Sequence, residues 1–93
     1  MGDFINKAIE ATGLLSKSQK TILQYINSFG YKKGVTAHSV QNYTKSSKQA
    51  VNNNLNLLIK RDFLYRNKER VFLYYCDQKK IQELLEEYKK CIK

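Results

Sequence analysis

Gln49, Asn52, Asn53, Asn54 and Asn56 crowd into one short stretch of the chain. The chemistry open to such a cluster is hydrogen bonding to base edges, because Asn and Gln amides pair bidentately with adenine N6 and N7 in the major groove of DNA. On a helix turning about 100° per residue, Gln49, Asn52, Asn53, Asn56 and Lys60 share one side. Ala50, Val51, Leu55, Leu58 and Ile59 share the other. Asn54 falls toward the apolar edge and reads as structural, and Leu57 lies off the main stripe. An ordinary solvated helix face mixes Glu and Lys. Asn gives up as much as about 0.7 kcal/mol of helix propensity relative to Ala, so the cluster costs stability without a structural return. AT-rich coding would raise Asn throughout but does not explain its clustering on one helix. Just upstream, Ser46, Ser47 and Lys48 offer hydroxyls, free N–H groups and the positive end of a helix dipole to a phosphate. No Asp or Glu occurs between Thr36 and Arg61, so nothing there repels one.

The other chemically capable side chains are sparse. His38 is the single histidine and has no neighbouring Cys or carboxylate in sequence. It reads as a surface or phosphate-adjacent residue, not a catalyst. Cys76 and Cys91 with one His are too few for a structural zinc site, which takes four ligands. They read as reduced thiols of a cytosolic protein. No metal, cofactor or enzymatic activity is expected.

The charge points the same way as the amides. The 93 residues carry seventeen Lys and Arg against eight Asp and Glu, a net +9. Such an excess favours polyanions. Between Tyr31 and Arg70 there are nine basic residues (Lys32, Lys33, Lys45, Lys48, Lys60, Arg61, Arg66, Lys68 and Arg70) against Asp62 and Glu69, a net +7. The flanks hold the remaining +2. Charge spread for solubility would not concentrate so. With 42% hydrophobic residues the chain has enough apolar mass to collapse. The N-terminal residues show no secretory signal pattern, and no apolar stretch is long enough to span a membrane, so a cytoplasmic, nucleoid- or plasmid-associated protein is expected.

These residues need elements to position them. The length predicts a single domain over 1–93. Phe4, Ile5, Ala8 and Ile9 form the stripe of a first helix that Gly13 stops. Ser16 and Gln19 have capping-box spacing. They open a second helix with Ile22, Leu23, Ile26 and Phe29 inward and Gly30 as its end. Residues 31–34 make a turn, and Val35 adds a very short strand. Thr36 caps a short helix with Val40 and Tyr43 inward. After a break at Thr44-Lys45, Ser46 or Ser47 caps the longer helix that carries the amides. Phe63-Leu64-Tyr65 and Val71 to Tyr75 read as strands, with Arg66 to Arg70 as a basic hairpin tip in which Asn67 is able to take a positive φ. Asp77 caps a last helix. The fold class is α+β, mostly helical.

The short helix, tight break and longer helix are a helix-turn-helix, whose second helix enters the major groove. With Gly34-Val35-Thr36 ahead of it, Ser46 to Val51 opening the second helix, and Leu55…Leu58-Ile59-Lys60-Arg61-Asp62-Phe63-Leu64-Tyr65-Arg66 passing into a hairpin, the chain resembles the winged helix-turn-helix family of bacterial DNA-binding proteins. The resemblance, over roughly Ser18 to Cys76, implies a helix-turn-helix at about 36–61 and a wing at about 63–76, and the residue pattern adds a C-terminal helix at about 78–92. It implies a recognition helix reading double-stranded DNA with Lys48, Gln49, Asn52 and Asn53, to which the helix start and polar face add Ser46, Ser47 and Asn56. It implies a wing contact from Arg66, Lys68 and Arg70, and the charge distribution adds Lys32, Lys33 and Lys45 as backbone contacts. Asp62-Phe63 departs from the acidic–glycine pair of many members, which puts the turn into the wing in question.

Ile81, Leu84, Leu85, Tyr88, Cys91 and Ile92 form a seam on the last helix. It either packs on the chain's own core or pairs, with Phe4, Ile5 and Ile9, across a two-fold axis. The second option is expected, because a small chain gains core by dimerising and paired half-sites suit DNA reading. The leading function is a sequence-specific DNA-binding homodimer acting as a transcriptional regulator such as a repressor. The alternatives are a centromere-binding adaptor of a plasmid or phage partition system, partnered by a filament-forming protein, and a winged-helix module that binds proteins. RNA stacking on Tyr65, Phe72, Tyr74 and Tyr75 ranks below these.

Overall fold

A computed structural model describes residues 2–29 and 33–91. The element order is α1 (Gly2–Ala11), α2 (Lys17–Phe29), α3 (Ala37–Thr44), α4 (Lys48–Lys60), β1 (Leu64–Lys68), β2 (Phe72–Cys76) and α5 (Gln78–Cys91). The expected helix stop at Gly30, the contact residue Lys32 and the seam residue Ile92 lie outside the described residues.

Local chemistry sets the boundaries. Ser16 Oγ accepts from the Gln19 N–H (3.3 Å) and Gln19 Oε1 accepts from the Ser16 N–H (3.1 Å), the reciprocal pair of a capping box. Thr36 Oγ1 accepts from the Ser39 N–H at the start of α3, Ser47 Oγ from the Ala50 N–H at the start of α4, and Asp77 Oδ1 from the Lys80 N–H at the start of α5.

The turn out of α4 differs from expectation. Asp62 itself takes the left-handed conformation (φ 65). Its N–H donates to Ile59 O (3.0 Å) and the Phe63 N–H donates to Leu58 O (2.9 Å), closing a Schellman motif. Phe63 is 1% exposed and belongs to the core, a role no glycine could fill. The departure at 62–63 therefore leaves the turn intact.

The hairpin also differs. β1 and β2 pair antiparallel from Leu64↔Cys76 to Lys68↔Phe72. Arg66, Asn67 and Lys68 are thus strand residues, and the tip is Glu69-Arg70-Val71. Asn67 is not among the positive-φ residues, which besides glycine are Lys45 and Asp62 among those described. Val35 exchanges two backbone hydrogen bonds with Tyr74 (3.0 and 2.8 Å), adding a third short lane to the sheet.

The core joins Ile9 of α1, Ile22, Leu23 and Ile26 of α2, Val40 of α3 and Val51, Leu55 and Leu58 of α4. Leu15, Val35 and Phe63 of the connections, Leu64, Tyr74 and Cys76 of the hairpin and Ile81 and Leu84 of α5 complete it. Tyr43, expected inward, is 53% exposed and stacks on Tyr25 at 4.3 Å. Three residues after Val40, Tyr43 lies at the open edge of α3, where it lines a cavity with Lys17, Thr21 and Asn54. Cys76 is buried, and its thiol donates to Leu23 O at 3.7 Å. Desolvation, with the Asp77 carboxylate beside it, pushes that thiol up to about 12.

Candidate nucleic-acid interface

α3 and α4 are locked at their junction. Lys45 ends α3 in the left-handed conformation (φ 55) and donates its N–H to Gln41 O at 2.8 Å. Two residues later Ser47 begins α4. With both caps satisfied internally, the rotation of α4 about its axis is fixed by Val51, Leu55 and Leu58 in the core.

That rotation divides the amides. Gln49, Asn53 and Asn56 are exposed along one stripe. Lys48 and Asn52 lie on the adjacent stripe, one turn apart. They turn toward α3, where with Ala37, His38, Gln41 and Val51 they line a cavity of about 200 Å³. Ser46 and Asn54 face the other way, lining a separate cavity with Lys17, Thr21 and Tyr43. Asn54 is half-buried there, away from the amide stripe. Ser47 is exposed, but its oxygen is committed to the cap.

The wing is built from one face of the hairpin. Leu64, Tyr74 and Cys76 point into the core, and Arg66, Lys68 and Phe72 continue the same face beyond it. The Arg66 guanidinium lies 4.3 Å from the Phe72 ring centroid and the Lys68 ammonium 5.5 Å from it. A cation over an aromatic face is attracted by about 0.5–1 kcal/mol at an exposed site. Phe72 therefore orders both cations without neutralising them. On the other face Tyr65 and Tyr75 stack at 5.2 Å.

The electrostatics are one-signed. Among the described residues the one ion pair is Lys80–Glu83 on α5, so Lys33, Lys45, Lys48, Lys60, Arg66, Lys68 and Arg70 have no carboxylate within ion-pair distance. All seven are exposed. Arg61 is different, because its guanidinium donates to the Leu14 carbonyl and ties the end of α4 to the α1–α2 loop.

Sequence reasoning left His38 and Gln41 outside the site, although their spacing of three on α3 places them on one face. It also did not place Phe72 under Arg66 and Lys68, which the strand register alone would have shown. Of the expected dimer residues, Ile9, Ile81 and Leu84 are in the chain's own core, where α1 packs on α5 within the chain. Ile5, Leu85 and Tyr88 are half-buried. Phe4 is 49% exposed and meets Tyr88 edge-on at 6.5 Å.

No protein-family model and no curated protein matches the sequence. Solved structures do. MepR of Staphylococcus aureus, a transcription regulator of the multidrug efflux pump MepA, superposes with a TM-score of 0.73 at 18% identity, over 96% of this chain and 67% of that one. A MepR variant bound to an oligodeoxyribonucleotide gives 0.70 at 16% identity, over 92% and 65%. The ST1889 protein of the archaeon Sulfolobus tokodaii gives 0.66 at 22% identity, over 97% and 88%. The chain spans 58–67% of the length of these MepR chains. At such identities the likeness concerns the fold: helix-turn-helix, wing and flanking helices.

Proposed function

We propose that this chain binds double-stranded DNA sequence-specifically, as a homodimer, and acts in the cytoplasm as a transcription regulator. The observation that carries the reading is the exposed amide stripe of α4 beside an unneutralised basic wing, with no carboxylate between Thr36 and Arg61. Gln49, Asn53 and Asn56 are base readers, and Lys33, Lys45, Arg66, Lys68 and Arg70 hold the backbone. The oligodeoxyribonucleotide bound by the MepR variant of the same fold supports the reading. The dimer rests on what α1 and α5 leave open. Phe4 and Leu14 are exposed, and Ala8, Ala11, Leu14, Leu84 and Tyr88 line an apolar groove of about 480 Å³.

The test is to select duplexes from a randomised pool and titrate the tightest against wild type and a Gln49→Ala/Asn53→Ala variant. Each bidentate base contact is worth about 1–3 kcal/mol, so the variant should lose at least about ten-fold on the selected duplex and nothing on a scrambled one. Equal affinity of wild type for both duplexes would refute sequence readout. Arg70→Ala should weaken all duplexes alike and lower the salt slope by about one. Recovery of tandem intergenic repeats, with recruitment of a filament-forming protein, would move the reading from transcription to DNA partition.

A further inference from the structure

We propose that the cavity between α3 and α4 seats one phosphodiester oxyanion of the DNA backbone. His38, Gln41, Lys48 and Asn52 hold it, so Lys48 and Asn52 clamp the backbone instead of reading bases. The inference rests on the DNA-binding reading above.

Three observations carry it. The first is composition. The cavity has an apolar floor, Ala37 and the buried Val51, and a rim of donors. The donors are an ammonium, an imidazole N–H and two carboxamide NH₂ groups, and neither α3 nor α4 holds an Asp or Glu. Such a rim can turn four donors to one ligand and meets it with no repelling carboxylate, a lining that suits an oxyanion. The second is size. About 200 Å³ is about seven water volumes of roughly 30 Å³ each, room for a phosphate oxyanion with several bridging waters. Drug-sized sites begin at about 300 Å³.

The third is placement. His38 and Gln41 are three apart on α3, and Lys48 and Asn52 are four apart on α4, so the two pairs face each other across the junction. His38 lies in the first turn of α3 and Lys48 is the first residue of α4, so both positive helix ends flank the cup. The Thr36 and Ser47 caps and the left-handed Lys45 fix the two helices before any ligand arrives. The stripe one step round α4, Gln49–Asn53–Asn56, then stands free over the base edges. Backbone contacts set register and base contacts set sequence. This surface separates the two onto adjacent stripes of one helix.

His38 is the single histidine, so its ring signals in NMR spectra are unambiguous. They should shift on titration with a mixed-sequence duplex. His38→Ala and Lys48→Ala should each weaken the mixed-sequence and the selected duplex by the same factor, on the order of ten-fold for a lost hydrogen bond to a charged group. Lys48→Ala should also lower the salt slope by about 0.9. In a scan of single neutral methylphosphonates, one position per half-site should weaken wild type but add nothing to the loss already present in His38→Ala. Circular dichroism checks that these surface variants fold. Loss on the selected duplex alone in Lys48→Ala or Asn52→Ala would make those residues base readers and overturn the proposal. A His38 signal unmoved by duplex would overturn it too, and so would one that saturates with inorganic phosphate but ignores duplex. Wild type binding no duplex at all would instead refute the function from which the proposal starts.

Discussion

Gly34 is where the wing is fastened to the helix-turn-helix, and replacing it tests that fastening. It has φ +73, and a Cβ built there would stand 2.8 Å from Tyr75 Cζ, 2.9 Å from Tyr75 Cε2 and 3.2 Å from Leu73 Cβ. Gly34→Ala therefore meets two penalties. The left-handed conformation costs an L-residue about 1–2 kcal/mol, partly offset by about 0.4–1 kcal/mol from a stiffer unfolded chain. The ring contact is the greater penalty. Tyr75 cannot retreat freely because it stacks on Tyr65 at 5.2 Å, and its neighbour Tyr74 is bonded to Val35. Forcing a methyl into such a contact costs about 1–3 kcal/mol. The expected net loss is about 2–3 kcal/mol, from a total that for small domains is only about 5–15 kcal/mol. Urea unfolding of wild type, Gly34→Ala, Tyr75→Ala and the double variant measures it. With the ring gone, Gly34→Ala should cost less than about 1 kcal/mol, so the cycle should show a coupling near 2 kcal/mol. A loss below about 0.5 kcal/mol in both backgrounds would mean that the Gly34 turn and the wing are not in contact, and the fastening would have to lie elsewhere.

The turn out of α4 yields a second expectation. Asp62→Gly should be neutral or stabilising by up to about 1 kcal/mol in the same unfolding assay, and Asp62→Val destabilising by more than about 1 kcal/mol, because only the β-branched residue resists φ 65. In a Cys91→Ser background, Cys76 should stay unmodified by a thiol reagent in the native protein at neutral pH and react once urea unfolds it. Its thiol is buried and its pKa is raised from 9.0 to about 12. The raised value also means that the Cys76 contribution to stability is complete below about pH 9 and is lost as pH rises toward 12, and Cys76→Ala should remove that part of the alkaline slope. In the proposed homodimer, Phe4→Glu, on the exposed outer edge of α1, should shift the sedimentation profile toward monomer while leaving the circular dichroism spectrum intact. An unchanged dimer would move the interface elsewhere.

What the sequence made legible follows from how far each signal reaches. The Ser16/Gln19 box, the Thr36 and Asp77 caps and the amphipathic face of α4 depend on neighbours within one turn, and the residue types state them directly. The hairpin tip did not. Arg66 and Lys68 look like loop residues because they are charged. They lie in a strand because the pleat sets them on the face of Leu64 and Phe72, whose ring holds both cations. The turn at Asp62 was obscured by the absence of glycine, although Asp tolerates the left-handed region better than most residues. The two terminal stripes were ambiguous for a different reason. An apolar stripe on α1 and another on α5 are complementary whether they meet within one chain or across two. Only the folded chain shows that Ile9, Ile81 and Leu84 meet within one.

These features share a thermodynamic cost that the free protein does not recover. Four asparagines in α4 give up roughly 2 kcal/mol of helix propensity relative to Ala. Seven exposed cations between Lys33 and Arg70 have no ion-pair partner among the described residues, and their like charges repel one another. A small chain has little stability to spare. On the proposed DNA-binding function, both costs are offset when a polyanion with base edges occupies the surface. Amides then find partners and counterions are released. The folded state should therefore respond to salt in opposite senses. For the free protein, added salt screens the repulsion and should raise the melting temperature. For the complex, binding to the native state stabilises it by mass action, and salt weakens that binding. The melting temperature with duplex present should then fall with salt until the two curves meet. Parallel curves, both rising, would mean that duplex does not bind the native surface. A free protein indifferent to salt would mean that the basic residues are too far apart to act as one field, and the placement of charge would lose its meaning.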